Sequence, residues 1–304
     1  MLQHGTRSRT PRRRPLLAAL VGTVLALVVG LLAATSGAAG SAGDKSGAAA
    51  GDGPVPLGTA PYRMKVGTFN ILGSQHTSRP GGFAAGHVRA GYTADLINLK
   101  KVDVIGLQEV QQDQLRVLGR DLDEYWIWPY QRLGTAQGLR LQIAYKRDAF
   151  DLVEAKKIYA RFDGNLRPIP YVRLRDRASG QEFWFMTFHN SPKSMEAERD
   201  RATAAEIALV NRLRRTGVPV VIGGDTNEWV EFYCKMGRGA AMHSASGGRL
   251  RPSCRAAANP VFDYLMANPR ADFFKYRQLG GRIVWRASDH KLVTAKVRLA
   301  ESTS

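Results

Sequence analysis

The chain has 304 residues, 44% hydrophobic and 23% charged, a composition that excludes a disordered or fibrous protein and suffices for one large α/β core. It carries 44 Lys+Arg against 26 Asp+Glu, a net charge of +18. Six basic residues and one acidic residue fall in the first 50, which leaves the remainder at +13. A body this basic favours polyanions such as nucleic acid, anionic headgroups or acidic cell-wall polymers, although solubility or an Arg-rich proteome would also account for it. The two cysteines, Cys234 and Cys254, form no Cys-x-x-Cys pair, which excludes a zinc knuckle or thioredoxin-type site. They would join in one disulfide in an exported chain and stay free thiols in a cytosolic one.

In chain order, a basic stretch from Arg7 to Arg14 precedes an uncharged run from Leu16 to Thr35 and then the small residues SGAAGSAG. This order marks residues 1–39 as a signal peptide or membrane anchor. The run is long enough to span a bilayer, and Arg13-Arg14-Pro15-Leu16-Leu17 loosely matches a twin-arginine signal. Either reading makes the body secreted or membrane-anchored outside the cytoplasm, touching membrane only through this segment if it is uncleaved. Residues 40–61, rich in Gly, Ala and Ser, read as a flexible linker. The folded domain is expected over 62–304, and no internal repeat is found.

Strands are predicted over Met64–Leu72, Val102–Val110, Leu141–Tyr145, Phe150–Tyr159, Ile169–Asp176, Glu182–His189, Val218–Gly223, Val261–Met266, Phe273–Leu279 and Leu292–Leu299. Helical spacing covers His87–Lys100, Gln111–Leu122 and Met195–Arg215, the last ending at a C′ glycine, Gly217. A turn at Ala178-Ser179-Gly180 makes a hairpin of two of the strands. Hairpins mixed with helix-linked strands suggest two packed sheets flanked by helices, an α/β sandwich.

Polar residues of one kind stand at the ends of the apolar runs. Asn70 follows Val-Gly-Thr-Phe, Glu109 follows Val-Ile-Gly-Leu-Gln, and His189 follows Phe-Met-Thr-Phe. Asp225 and Asn227 follow Val-Val-Ile-Gly-Gly, and Asp289 and His290 precede the last strand. Strand ends hold side chains rigidly at a cleft. Hard oxygen donors such as Glu109 and Asp289 suit Mg²⁺, with Mn²⁺ or Ca²⁺ as alternatives. No thiolate set and no His-Glu-x-x-His helix supports a zinc protease. Metal-holding carboxylates with histidines are the equipment of phosphoester hydrolysis. His76, His87 and His243 belong to no motif and read as surface residues.

The motifs FN-I, LQEV, GGDTNEW and ASDHKLV resemble those of the endonuclease/exonuclease/phosphatase superfamily over about Met64 to Leu299. The resemblance implies a four-layer α/β/β/α sandwich of two mixed sheets flanked by helices. It implies Asn70, Glu109 and Asp289 on the metal side and Asp225 orienting or deprotonating the attacking water. Asn227 would bind the phosphate, and His290 would stabilise transition-state charge. Asp263, in Phe-Asp-Tyr-Leu, would orient His290, and His189 would contact phosphate or protonate the leaving oxygen. Arg167 and Arg173 lie near the strand that often contributes phosphate contacts. Secreted nucleases of the family often carry a disulfide between the Asp225 loop and Asp263, which pairs Cys234 with Cys254. Asn190 departs from the Leu usual after the family histidine, and Gly134–Ala144 lacks an acid that would partner His189.

The leading expectation is an exported metal-dependent nuclease acting on DNA or RNA as a monomer. The alternatives are an envelope-associated phosphatase or sphingomyelinase-like phosphodiesterase, and a non-catalytic binding module with a relict site. The loops 73–86, 131–138 and 228–258 would set the choice, and Trp229, Phe232 and Tyr233 would stack on a base or pack the last of these.

Overall fold

Alternation along the strands sets the layers, as the computed structural model makes visible over residues 64–77, 82–130, 140–257 and 262–300. One six-stranded sheet runs β13-β14-β1-β2-β4-β3. Its strands are β1 (Met64–Asn70), β2 (Val104–Gln108), β3 (Tyr125–Trp128), β4 (Leu141–Lys146), β13 (Ala271–Leu279) and β14 (Leu292–Leu299). The other runs β5-β6-β7-β8-β12-β9. It is built from β5 (Phe150–Phe162), β6 (Asn165–Asp176), β7 (Glu182–His189), β8 (Val220–Asp225), β9 (His243–Ser244) and β12 (Asp263–Ala267). A small ribbon pairs β10 (Gly248–Arg249) with β11 (Arg255–Ala256).

Each central strand sends alternate side chains to two cores. On β7, Phe183 and Phe185 join Val66, Val104, Val221 and Val293 between the sheets. Trp184, Met186 and Phe188 face outward onto Leu209, Val210 and Leu213 of α3 (Glu196–Arg214). They also meet Phe232 and Met236 of α4 (Val230–Ala240). On the other side, Phe69, Ile105 and Leu107 pack under α1 (Gly86–Lys100) and α2 (Gln112–Asp121) through Ala90, Ile97, Leu115 and Leu118. The result is the expected α/β/β/α sandwich of two mixed sheets.

At one end of the sandwich the apolar filling gives way to small and polar residues. Gln108 donates to Thr68 at 3.0 Å and to Thr187 at 2.8 Å, tying the sheets together. A Cβ at Gly106 would fall 2.4 Å from Thr187 Oγ1, so this close approach requires glycine. β1 and β2 pair in parallel with Asn70 beside Gln108. β7 and β8 pair in parallel with His189 beside Asp225, and antiparallel β12 places Asp263 beside Asp225. Three polar residues thus lie side by side at one sheet end.

Several elements differ from expectation. The 228–258 segment is not a loop: it contains α4 and the β10–β11 ribbon. Phe232 and Tyr233 are buried and stack on Phe188 and Tyr264, so they pack the fold and leave no face for a base. β3 and a short helix α5 (Arg282–Ala287) were not expected. The expected signal or anchor, the linker and the 131–138 loop lie outside the described residues. Among the described residues no helix is long and apolar enough to cross a membrane.

Cys234 and Cys254 form the expected disulfide, which fastens α4 to the segment before β11 across 20 residues. A loop of that size constrains the unfolded chain by about 3 kcal/mol. The double substitution Cys234→Ser with Cys254→Ser is therefore expected to lower Tm by roughly 6–12 °C. A Tm unchanged in thermal melts would show that the bridge is dispensable.

Candidate active site

The cleft at this end has a volume of about 290 Å³ and is lined by Glu109, His189, Asp225, Asn227 and His290 together with His76, Arg140, Phe162, Arg167 and Lys193. Asp225 is the hub and is 1% exposed. Its Oδ1 accepts the backbone N–H of Asn227 at 2.9 Å, and its Oδ2 accepts Asn70 Nδ2 at 3.0 Å. The same Oδ2 lies 3.3 Å from His189 Nε2 and 3.7 Å from His290 Nε2. Asn70 Nδ2 also donates to Glu109 Oε1 at 2.9 Å, and its own Oδ1 accepts the Leu72 N–H at 3.0 Å. Asn70 is thus a bridge between two carboxylates, fixed by the turn that follows it.

Glu109 leaves β2 in the left-handed region, φ 61°, and Asn227 does the same after β8 at φ 49°. For Glu such a backbone costs about 1–3 kcal/mol and persists where the surroundings impose it. Here they do: Gly73 N–H donates to Glu109 Oε2 at 2.9 Å. Burial alone would raise the Glu109 pKa, but His189, the Asn70 and Gly73 hydrogen bonds and His76 hold it below the usual carboxylate value. The neighbouring turn is pinned by Arg89. Its fully buried guanidinium donates to the carbonyls of Ile71 (2.7 Å), Gly73 (3.2 Å) and Ala287 (3.2 Å).

The two histidines are driven apart. Burial, against the pull of Asp225 and Glu109, lowers His189 and favours its neutral form. His290 is also desolvated, yet Asp263, Asp225 and Asp289 outweigh that and raise it to about 10. Its Nδ1 lies 2.9 Å from Asp263 Oδ2. Burial raises Asp263 to about 6 against the opposing His290 charge, so near neutral pH the pair shares one proton, carried by the imidazole. One neutral and one cationic histidine around a central carboxylate is a division of labour for proton transfer and charge stabilisation.

Asn227 Nδ2 reaches His189 Nε2 at 3.0 Å and the Asn190 carbonyl at 2.9 Å. Asn190 faces α3, where its amide meets Thr203 at 3.4 Å and Glu206 at 3.5 Å. This explains the departure from Leu at 190: the side chain serves a buried polar group. Glu206 is completely buried, and desolvation raises its pKa to about 8 despite the Asn190 hydrogen bond. Since the folded value exceeds the ordinary 4.5, stability is fullest below pH 4.5 and is lost as pH rises through 8. Glu206→Gln is expected to remove this loss and to melt higher than wild type at pH 9. Parallel pH–Tm curves would refute it.

Most sequence-predicted site residues converge. Asp289 stands beside His290, exposed, with Oδ1 3.3 Å from Ser288 Oγ. Arg167 lines the cleft and lies over the Phe162 ring at 3.9 Å, while that ring packs on His189. Arg173 does not join the site. It is paired with Glu182 on β7 and lies over Trp184. Six residues along one strand separate the two arginines by about 20 Å, too far to serve one phosphate. His76 is exposed, as expected, and also faces Glu109 at 3.3 Å, whereas His243 is half-buried against Phe273. His76, Arg140, Lys193 and Arg89 were missed because no strand end or motif marks them.

The sequence matches the model of the Endonuclease/Exonuclease/phosphatase family over residues 67–290. A comparison with curated proteins finds no match. Among solved structures, an endonuclease/exonuclease/phosphatase family protein from Bacteroides thetaiotaomicron is similar with a TM-score of 0.67 and 18% identity, over 78% of this chain and 98% of that one. A mannosyl-6-phosphatase from the same species gives 0.60 and 17%, over 78% and 99%. D. rerio TDP2 complexed with a single-strand DNA product gives 0.59 and 15%, over 78% and 99%. At these identities the structures speak for the fold. The family match spans most of the chain and every expected site residue, and the chain belongs to the endonuclease/exonuclease/phosphatase family of metal-dependent phosphoric ester hydrolases.

Proposed function

We propose that the protein is an exported phosphodiesterase that cleaves the backbone of DNA or RNA. The observation that carries this reading is the cationic side of the cleft, where Arg140, Arg167 and Lys193 outnumber Asp163, beside Glu109 and Asp225. A single phosphate is matched by the metal side and His290, whereas three further cations suit the flanking phosphates of a polymer. Desolvation and Arg140 push Arg167 down to about 10, which leaves it charged at neutral pH. The disulfide favours an oxidising, extracytoplasmic compartment.

A divalent metal fits the donor set. Glu109 is held below its usual pKa although its only ion-pair partner among the described residues is His76. Glu109 and Asp289, with Asn70 steadying Glu109, would hold Mg²⁺, or Mn²⁺ or Ca²⁺ in its place. When bound it would neutralise phosphate charge and acidify water. Asp225 would orient and deprotonate the attacking water. Asn227 and His189 would contact the phosphate, His189 as a neutral imidazole. His290, cationic against Asp263, would stabilise the charge that develops.

The small cleft favours a second reading, a phosphatase or phospholipid phosphodiesterase. A non-catalytic module is set aside by the family assignment. The test is hydrolysis of plasmid DNA, RNA, phosphomonoesters and phospholipids by the purified protein with Mg²⁺ or EDTA, with Glu109→Ala as control. Nucleic-acid cleavage that needs metal and Glu109 is the expected result. Arg167→Ala should weaken it about 10- to 100-fold while sparing a phosphomonoester, and Arg173→Ala should leave it unchanged. Headgroup or phosphate release without nucleic-acid cleavage would replace this reading with the second.

A further inference from the structure

Four carboxylates converge where the start of α3 meets the start of α4. Glu196 and Asp200 lie one turn apart on α3, Glu228 follows Asn227, and Glu231 lies in the first turn of α4. One carboxylate oxygen from each of the four comes within 4.8 Å of the others. Two cations face them. Arg199 pairs with Glu196 and stands 3.7 Å from Glu228, and Lys235 pairs with Asp200 and, at 2.6 Å, with Glu231. Four negative charges against two positive ones leave the group at −2.

Glu228 is the member these cations meet least, with Arg199 facing it at 3.7 Å, beyond hydrogen-bond distance. It is 8% exposed, and neither of its buried oxygens has a hydrogen-bond partner. A buried carboxylate in that condition is costly. Burial first, then Glu196 and Glu231, push its pKa up to about 7 against the opposing Lys235. Burial therefore disfavours its charged form as the cluster stands. Hard oxygen donors on adjustable side chains, with two uncompensated negative charges, are the requirement of Ca²⁺ rather than of a thiolate- or imidazole-seeking metal.

We propose that Glu196, Asp200, Glu228 and Glu231 form a second divalent-cation site for a Ca²⁺-sized ion, with Glu228 as its buried ligand. Lys235 is the internal substitute that bridges Asp200 and Glu231 when the ion is absent. The site joins α3 to α4 and, through Glu228, holds the turn that carries Asn227. It is separate from the Glu109 side of the cleft and independent of which phosphoester is cut.

The test is thermal melting of the purified full-length protein, stripped with chelator and titrated with Ca²⁺, in a Glu109→Ala background that removes the main carboxylate of the cleft. A saturable rise in Tm is expected, roughly 5–10 °C at a hundredfold excess over Kd. Glu228→Gln should abolish it. Lys235→Gln should melt lower without Ca²⁺ and show a larger rise at lower Ca²⁺, because the internal competitor is gone. This second variant keeps the test decisive should Glu228→Gln fail to fold. No saturable rise, a rise that Glu228→Gln retains, or a Lys235→Gln loss that Ca²⁺ does not repair would each overturn the site.

Discussion

Asp225→Asn is expected to lower kcat by at least about 10³-fold with the fold intact. The carboxylate accepts from the Asn227 backbone on one oxygen and from Asn70 Nδ2 on the other. An amide is isosteric but must place its NH₂ group against one of those donors, so one contact becomes a donor facing a donor. It also removes the charge that lies 3.7 Å from His290 Nε2 and 3.3 Å from His189 Nε2. The base for water, the alignment of Asn227 and the field on both imidazoles fail together. Single-turnover kinetics beside a circular-dichroism melt would check this. A folded variant within about tenfold of wild type would mean that Asp225 is a structural hub without a chemical role.

The strand-end residues were legible because each is a polar residue closing an apolar run. Desolvating Asn70, Glu109, His189 or Asp225 has no local justification, so sequence alone marks them. What sequence could not mark is what arrives from another element at a surface position. His76 sits in a single 3₁₀ turn among polar residues, and Arg140 stands between two leucines just before β4, where no motif marks it. α4 was hidden for a different reason: Phe232, Tyr233, Met236 and Ala240 do follow a helical face, but Gly237 and Gly239 interrupt the propensity. Its aromatic residues then invited a reading as a stacking surface. β5 and β6 run beyond their predicted ends as an exposed ribbon whose tip, Phe162–Asn165, carries no core pattern. That extension is what brings Phe162 and Arg167 over His189. Arg167 and Arg173 look equivalent in sequence, and only strand rise tells them apart. The left-handed turn at Glu109 likewise has no sequence signature, whereas Asn227 is a residue type that tolerates that backbone.

Asp263→Asn separates positioning from stability. Asp263 is 3% exposed, with Oδ2 on His290 and Oδ1 buried without a partner. Burying that charge is costly, as its raised pKa records. Asparagine keeps the shape, offers its carbonyl to His290 Nδ1 and removes the desolvated charge. The buried imidazolium loses its counter-charge in the same step, which outweighs that relief, so Tm should fall near neutral pH. Catalysis should fall by about 10²- to 10⁴-fold, because the imidazolium loses the carboxylate that orients it and stabilises its charge. If Asp263 acts only through His290, the double variant with His290→Ala should be no slower than His290→Ala alone. Additive losses would give Asp263 a separate task, and an unchanged kcat would remove the pair from the mechanism. A loss in rate far beyond what the lower Tm explains is the expected signature of a charge kept buried for the imidazole it serves.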